Sequence, residues 1–309
     1  MKAIVQKLTI PNGKRVICMS DIHGSYDIFK ALLEKVQFTD DDMLILLGDL
    51  FLKGEQPLET LHYIMELHKR PNVHILRGNC EWEGAPYLSR SDIDWMNGLP
   101  HIIESDDYIF VHGGIASENL DELDAWSCMK NDAFLEKGLV FSKYVVTGHW
   151  PVSNYCHKIP SCAPVISEDQ KIICTDGGLV VRTIGQLNAF VIQDGEYAHD
   201  SLDALETVTI KKAQQARGGH YHATWQDRFV EVISEDGLFS LCRHIGSGNI
   251  VDHPTDTLWR DDQNRLCGCS YGLDYYLPLE AGETVSAVVQ YGNRLLAKKG
   301  DIVGWVALT

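Results

Sequence analysis

Five short apolar runs in the amino-terminal half of the chain each end in an Asp, Asn or His set close to a glycine. Residues 15–19 lead into Asp21-Ile22-His23-Gly24, residues 43–47 into Gly48-Asp49, and residues 73–76 into Arg77-Gly78-Asn79. Residues 108–111 lead into His112-Gly113-Gly114, and residues 144–146 are followed by Gly148-His149. Uninterrupted apolar runs of this length read as strands covered on both faces. Helical periodicities lie between them at 25–36, with Ile28, Leu32, Leu33 and Val36 on one face, and at 57–68, where Pro57 suits a first turn. Residues 172–174 read as a further strand. The alternation predicts an α/β domain, in which ligands gather outside the carboxyl ends of the strands.

Taken singly, an Asp at a strand end is commonly a turn residue or helix cap, and a lone His is commonly just polar. As an ordered set with neighbouring glycines, the six side chains of Asp21, His23, Asp49, Asn79, His112 and His149 read as metal ligands. The glycines let backbone and ligands crowd around one point. Carboxylate, imidazole and amide oxygen together suit manganese, iron or zinc better than calcium or magnesium.

Charge sharpens this. Forty-three acidic residues against 27 basic ones give a net charge of −16, which repels a nucleic-acid backbone. An anionic substrate then needs local positive charge, and cations supply it. The nine cysteines are an odd count and mostly isolated, the pattern of free thiols in a reducing compartment. No apolar run reaches membrane-spanning length, and residues 1–10 read as an alternating strand rather than a secretory signal. The expectation is a cytoplasmic protein with no membrane or nucleic-acid partner.

Asp21-Ile22-His23, Gly48-Asp49, Gly78-Asn79-Cys80-Glu81, His112-Gly113-Gly114 and Gly148-His149 together resemble the ordered signature of the calcineurin-like metallophosphoesterases. The match is nearest to their phosphoprotein phosphatase branch, which includes bacterial serine/threonine phosphatases and symmetrical diadenosine tetraphosphate hydrolases. It runs from about residue 14 to about 195 and takes in Thr175-Asp176-Gly177-Gly178. The resemblance implies two mixed β-sheets sandwiched between helices. It also implies one metal on Asp21, His23 and Asp49, and a second on Asp49, Asn79, His112 and His149. Asp49 would then bridge. The family's nucleophile is a hydroxide between the two cations, which clamp an in-line displacement. Arg77 resembles the family's phosphate-contacting arginine.

Two departures stand out. The family's second motif reads Gly-Asp-x-x-Asp-Arg-Gly, and its third reads Gly-Asn-His followed by an acid. Here the second runs Gly48-Asp49-Leu50-Phe51-Leu52-Lys53-Gly54, and Cys80 replaces the histidine. In the family that histidine protonates the leaving oxygen and the second Asp charges it, so both partners are missing together. Lys53 keeps a positive charge without the bidentate fork. A positioned acid is worth about 3–5 kcal/mol, so poor leaving groups should suffer most. Cys80 is a poor acid, while His101 and His157 are alternative donors. Cys80 as the nucleophile of a cysteine-dependent phosphatase is disfavoured by Glu81 and Glu83 beside it.

The texture changes after about residue 214. Short β-rich pieces separated by Gly, Asn and Asp turns predict a small SH3-like β-barrel over 216–309, appended to a catalytic domain over 1–215. His220-Tyr221-His222 could chelate a metal but sits in a polar linker, and Cys267-Gly268-Cys269 has no second Cys or His pair at zinc spacing, so both read as structural. Tyr271, Tyr275 and Tyr276 read as barrel core or a groove for a peptide or protein ligand. The leading functional expectation is a dinuclear phosphomonoesterase, with phosphoproteins among its substrates. The alternatives are a dinucleoside polyphosphate hydrolase and a metal-binding scaffold that has lost catalysis.

Overall fold

The computed structural model describes residues 1–269 and 271–308. Contacts divide them into two units, one built from 1–152, 163–181 and 185–203, the other from 153–162, 182–184 and 204 onward. In chain order the first contains β1 (Val5–Lys7), β2 (Val16–Met19), α1 (Tyr26–Lys35), β3 (Met43–Leu46), α2 (Pro57–Leu67), β4 (Val73–Ile75), α3 (Asn79–Glu83) and α4 (Arg90–Asn97). It continues with β5 (Ile102–Glu104), β6 (Tyr108–Val111), α5 (Ala125–Met129), β7 (Tyr144–Thr147), β8 (Val165–Ser167), β9 (Ile172–Cys174), β10 (Leu187–Gln193) and β11 (Glu196–Leu202).

Parallel neighbours need a crossover, and the two helical periodicities supply it. β2 pairs parallel with β3 across α1, and β3 pairs parallel with β4 across α2. β10 then adds antiparallel to β2, giving a five-stranded mixed sheet in the order β11-β10-β2-β3-β4. The second sheet is also mixed, six strands in the order β1-β5-β6-β7-β9-β8. The predicted pair of mixed sheets is present. Period-2 alternation in β2 and β3 sorts their side chains to two cores. Val16, Cys18, Met43 and Ile45 pack against Ile103, Phe110, Val146 and Ile173 of the other sheet. Ile17, Met19, Leu44 and Leu46 pack instead with Phe29, Leu32 and Leu33 of α1 and Ile64 and Leu67 of α2.

The second unit contains β12 (Thr207–Thr209), β13 (Val230–Glu235), β14 (Phe239–His244), β15 (Ile250–Pro254), β16 (Trp259–Arg260), β17 (Leu266–Cys267), β18 (Thr284–Tyr291), β19 (Arg294–Lys299) and β20 (Ile302–Ala307). It is β-rich, as expected, with no α-helix among its described residues. No closed barrel forms among them. β13, β14 and β15 pair with one another as a separate three-stranded meander, and no strand pairing among the described residues joins it to the four-stranded sheet β12-β18-β19-β20. Tyr271, Tyr275 and Tyr276 are partly buried against a core of Leu273, Leu296, Val303 and Trp305. No helix of the described residues is long and apolar enough to cross a membrane.

Candidate metal centre

The chain bends sharply where the strands end. Asp21, His23, Asp49 and His149 all take left-handed backbone conformations, with φ of +55°, +48°, +53° and +67°. Such residues cost about 1–3 kcal/mol each and persist where the surroundings over-determine them. Here the strand ends are laced together: Asp21 N–H donates to Gly48 O at 3.1 Å, and His23 N–H to Asp49 O at 3.0 Å. Two glycines permit the crowding. A Cβ on Gly48 would sit 2.5 Å from Gly78 N, and one on Gly148 would sit 2.5 Å from Asp21 Oδ2.

Asp49 occupies the middle. Its Oδ1 lies 3.3 Å from His112 Nε2, and its Oδ2 lies 3.9 Å from His23 Nε2. His23 Nε2 is 3.7 Å from Asp21 Oδ1, and His112 Nε2 is 3.3 Å from Asn79 Oδ1. Two clusters of donor atoms fall within 4.8 Å: His23, Asp49 and Cys80, and Asp21, Asp49 and His112. Both share Asp49. All five of these residues and Asn79 are buried. Carboxylates so desolvated need compensating charge, and the mixture of carboxylate, imidazole and amide oxygen fits divalent cations.

The imidazoles are oriented from behind. His112 Nδ1–H donates to the Leu47 carbonyl at 2.8 Å, so its lone pair sits on the Nε2 that faces Asp49 and Asn79. His149 Nε2–H donates to Asp132 Oδ1 at 2.8 Å, which leaves the lone pair on Nδ1. Its backbone N–H donates to Asp21 Oδ2 at 2.9 Å, and its ring meets His112 edge-on with centroids 5.2 Å apart. By donor-atom distance His149 joins neither cluster. Burial lowers the pKa of His23 and of His149, against the pull of nearby carboxylates, and so favours the neutral ligand form. Burial opposes ionisation of Asp49, yet His112, His23 and the Cys80 N–H and thiol hold it below the usual carboxylate range.

The remaining candidates divide. Lys53 Nζ is half-exposed, 3.5 Å from His23 Nε2 and 3.9 Å from Asp49 Oδ2. Arg77 is buried; it donates to Asn97 Oδ1 at 2.9 Å and lies over Trp82, 4.9 Å from the ring centre. Cys80 enters the cage, its thiol donating to Asp49 Oδ2 at 3.0 Å. His101 is fully buried and accepts the Ile4 N–H at 3.0 Å, with burial pushing its pKa down to about 4. His157 belongs to the second unit.

Three residues have roles that the sequence reading did not assign. Glu81 accepts N–H bonds from Asp49, Leu50 and Gly78 at 2.9, 2.8 and 2.8 Å and so clamps two motif loops together. Its place beside Asn79-Cys80 was the available signal. Asp176 is buried, with Oδ1 accepting the Gly178 N–H and Oδ2 unpartnered; burial and the Asp21 charge push its carboxyl well above the usual range. The Asp176-Gly177-Gly178 run hinted at it. Nothing in the sequence pointed to Asp132.

The sequence profile of the calcineurin-like phosphoesterases matches residues 14–163. A symmetrical bis(5'-nucleosyl)-tetraphosphatase of Neisseria meningitidis serogroup A is 32% identical over 265 residues, covering 78% of this chain and 87% of that protein. The same-named protein of Vibrio campbellii is 32% identical over 117 residues, covering 32% of this chain. That match spans less than half of the relative, 44% of its length. A solved cold-active protein-tyrosine phosphatase of a psychrophilic Shewanella superposes with a TM-score of 0.48 and 18% identity, covering 65% of this chain and 83% of that one.

Proposed function

The chain belongs to the calcineurin-like phosphoesterase family, and on that premise we propose that it is a two-metal hydrolase of phosphoanhydrides, with dinucleoside polyphosphates as the substrate class. Asp21, His23 and Asp49 would hold one cation, and Asp49, Asn79, His112 and His149 the other. A divalent pair in that place, manganese or else iron or zinc, supplies Lewis acidity and an activated water. The residues' own work is positional. Glu81 fixes the Asp49 and Gly78 loops, His112 and His149 are held by Leu47 and Asp132, and Lys53 offers a half-exposed ammonium to an incoming phosphate.

The observation that carries the substrate class is the missing acid. Cys80 stands where the family has its proton donor, and its thiol is engaged with Asp49. Burial, then the Asp49 and Glu81 charges, push that thiol far above its ordinary range, and a thiol already donating to Asp49 is not aimed at a leaving oxygen. Leu52, in place of the charging Asp, packs against Phe51, Leu61 and Met96. A phosphate leaves an anhydride without needing a proton, whereas a serine alkoxide does not. This weights the reading toward anhydrides over the phosphomonoesters first expected, and the names of the relatives agree. Aryl phosphates form the second reading, because a phenolate is also a tolerable leaving group, with a conjugate acid near pKa ~10.

Product analysis tests the choice. With manganese, diadenosine tetraphosphate should be cleaved at least about 10²-fold faster, by kcat/KM, than a phosphoserine peptide. Comparable rates on both would remove the argument. The β-rich unit is read as an accessory domain that recruits or restricts the substrate. Nine free cysteines are consistent with the cytoplasm.

A further inference from the structure

Cys80 sits deeper in the cage than a substituted proton donor needs to. Its Sγ lies 3.0 Å from Asp49 Oδ2 and 4.0 Å from His23 Nδ1, and these three side chains form one of the two donor clusters. The backbone holds it there, because Cys80 N–H donates to Asp49 Oδ1 at 2.8 Å at the start of α3. Asn79 Nδ2 donates to the same sulfur at 3.8 Å. A merely structural thiol looks different: Cys18 is equally buried but packs among Val16, Ile45, Phe110 and Val146. The sulfur of Cys80 faces a carboxylate, an imidazole and an amide instead.

We propose that the Cys80 thiolate is itself a ligand of the cation held by His23 and Asp49, which makes that half of the centre a sulfur-containing, thiophilic site. The inference rests on the two-metal reading and adds to it a donor and a metal preference. As the cation enters, the S–H bond breaks, its proton passes to solvent, and a sulfur–metal bond forms with no change of oxidation state. The thiol-to-Asp49 hydrogen bond is then the proton's version of the same arrangement, with one hydrogen shared where a dication would sit. The two departures at 52 and 53 fit the added charge. Leu52 packs against Phe51, Leu61 and Met96 and adds no carboxylate, and Lys53 Nζ stands 3.9 Å from Asp49 Oδ2 to offset a thiolate. Thiolate donors favour zinc, cadmium or iron over manganese, so the two halves should differ in preference.

Cobalt reports the ligand directly. The full chain, stripped with a chelator and reloaded anaerobically with Co(II), should show visible d–d absorption and a near-ultraviolet thiolate-to-cobalt charge-transfer band. Cys80→Ser and Cys80→His should bind cobalt and lose that band, while Cys18→Ala keeps it. The histidine variant restores the side chain that the family carries, which guards against a serine variant that does not fold. Cadmium affinity should fall at least about tenfold in both Cys80 variants, more than manganese affinity does. Cobalt bound to the wild type without the band, or a band surviving in either Cys80 variant, overturns the sulfur ligand and leaves the two-metal reading standing. A wild type that binds no cobalt overturns both.

Discussion

Each structural unit buries a group of histidines, and the two groups behave differently. In the first unit His23 and His112 flank Asp49, and two of the three residues sit on left-handed backbone. In the second, His222, His244 and His253 are equally buried. Their hydrogen-bond partners, however, are carbonyls and, for His244 and His253, one another, while His222 Nε2 and His253 Nδ1 have none among the described residues. His222 Nδ1–H donates to Cys156 O at 2.7 Å, His244 Nδ1–H donates to Asp227 O, and His244 and His253 share a proton between Nε2 atoms 2.9 Å apart. Burial drives the pKa of His222 down to about 4 and that of His253 to about 3. Held neutral and, among the described residues, hydrogen-bonded to no carboxylate, these imidazoles present no buried negative charge for a cation to offset. Burial alone therefore does not single out a histidine as a candidate ligand; the proposed ligands are set apart by desolvated carboxylates and strained strand ends beside them.

The contrast breaks most easily at its centre. Asp49→Asn should abolish measurable cation binding by calorimetry and lower turnover at least about 10³-fold. His253→Gln, measured at pH 8, should leave both within about twofold. If His253→Gln released cations as well, the division between the two groups would fail. A smaller effect should run the other way. Restoring Leu52→Asp together with Cys80→His should raise phosphoserine hydrolysis about 10²-fold, with each single change gaining little. A gain from Cys80→His alone would show that Leu52 is not part of the deficit.

Acid separates the two groups thermodynamically. His222 and His253 take up protons near pH 6.5 when unfolded but only near pH 4 and 3 when folded. Their contribution to stability is thus complete above about pH 6.5 and is lost as pH falls toward 3, on the order of a few kcal/mol. Denaturant unfolding at pH 7.5 and pH 5, with hydrogen exchange followed in β14 and β15, should show this weakening. His253→Gln should flatten it. The smallest effect expected is at the rim, where Lys53→Ala should raise KM about tenfold with a lesser change in kcat. A change confined to kcat would place Lys53 at the reacting bond instead.

Much of the first unit was readable because its chemistry is local in sequence. Each proposed ligand stands at the end of an apolar run with a glycine nearby, and those runs are strands within a residue or two of the predicted bounds. What was not readable depends on distance in the chain. Asp132 reaches His149 across 17 residues, and Cys80 reaches His23 across 57. Neither neighbour leaves a mark in the local pattern. The expected closed barrel is not found among the described residues, for a related reason. Residues 230–254 carry ordinary strand alternation, and alternation does not say which strand will be the partner.

Anomalous diffraction from crystals grown with manganese tests the central claim most directly. Two cation peaks should appear, one on each side of the Asp49 carboxylate, with donors drawn from Asp21, His23, Asn79, Cys80, His112 and His149. No peak beside Asp49, or a peak only among the histidines of the second unit, would contradict the account.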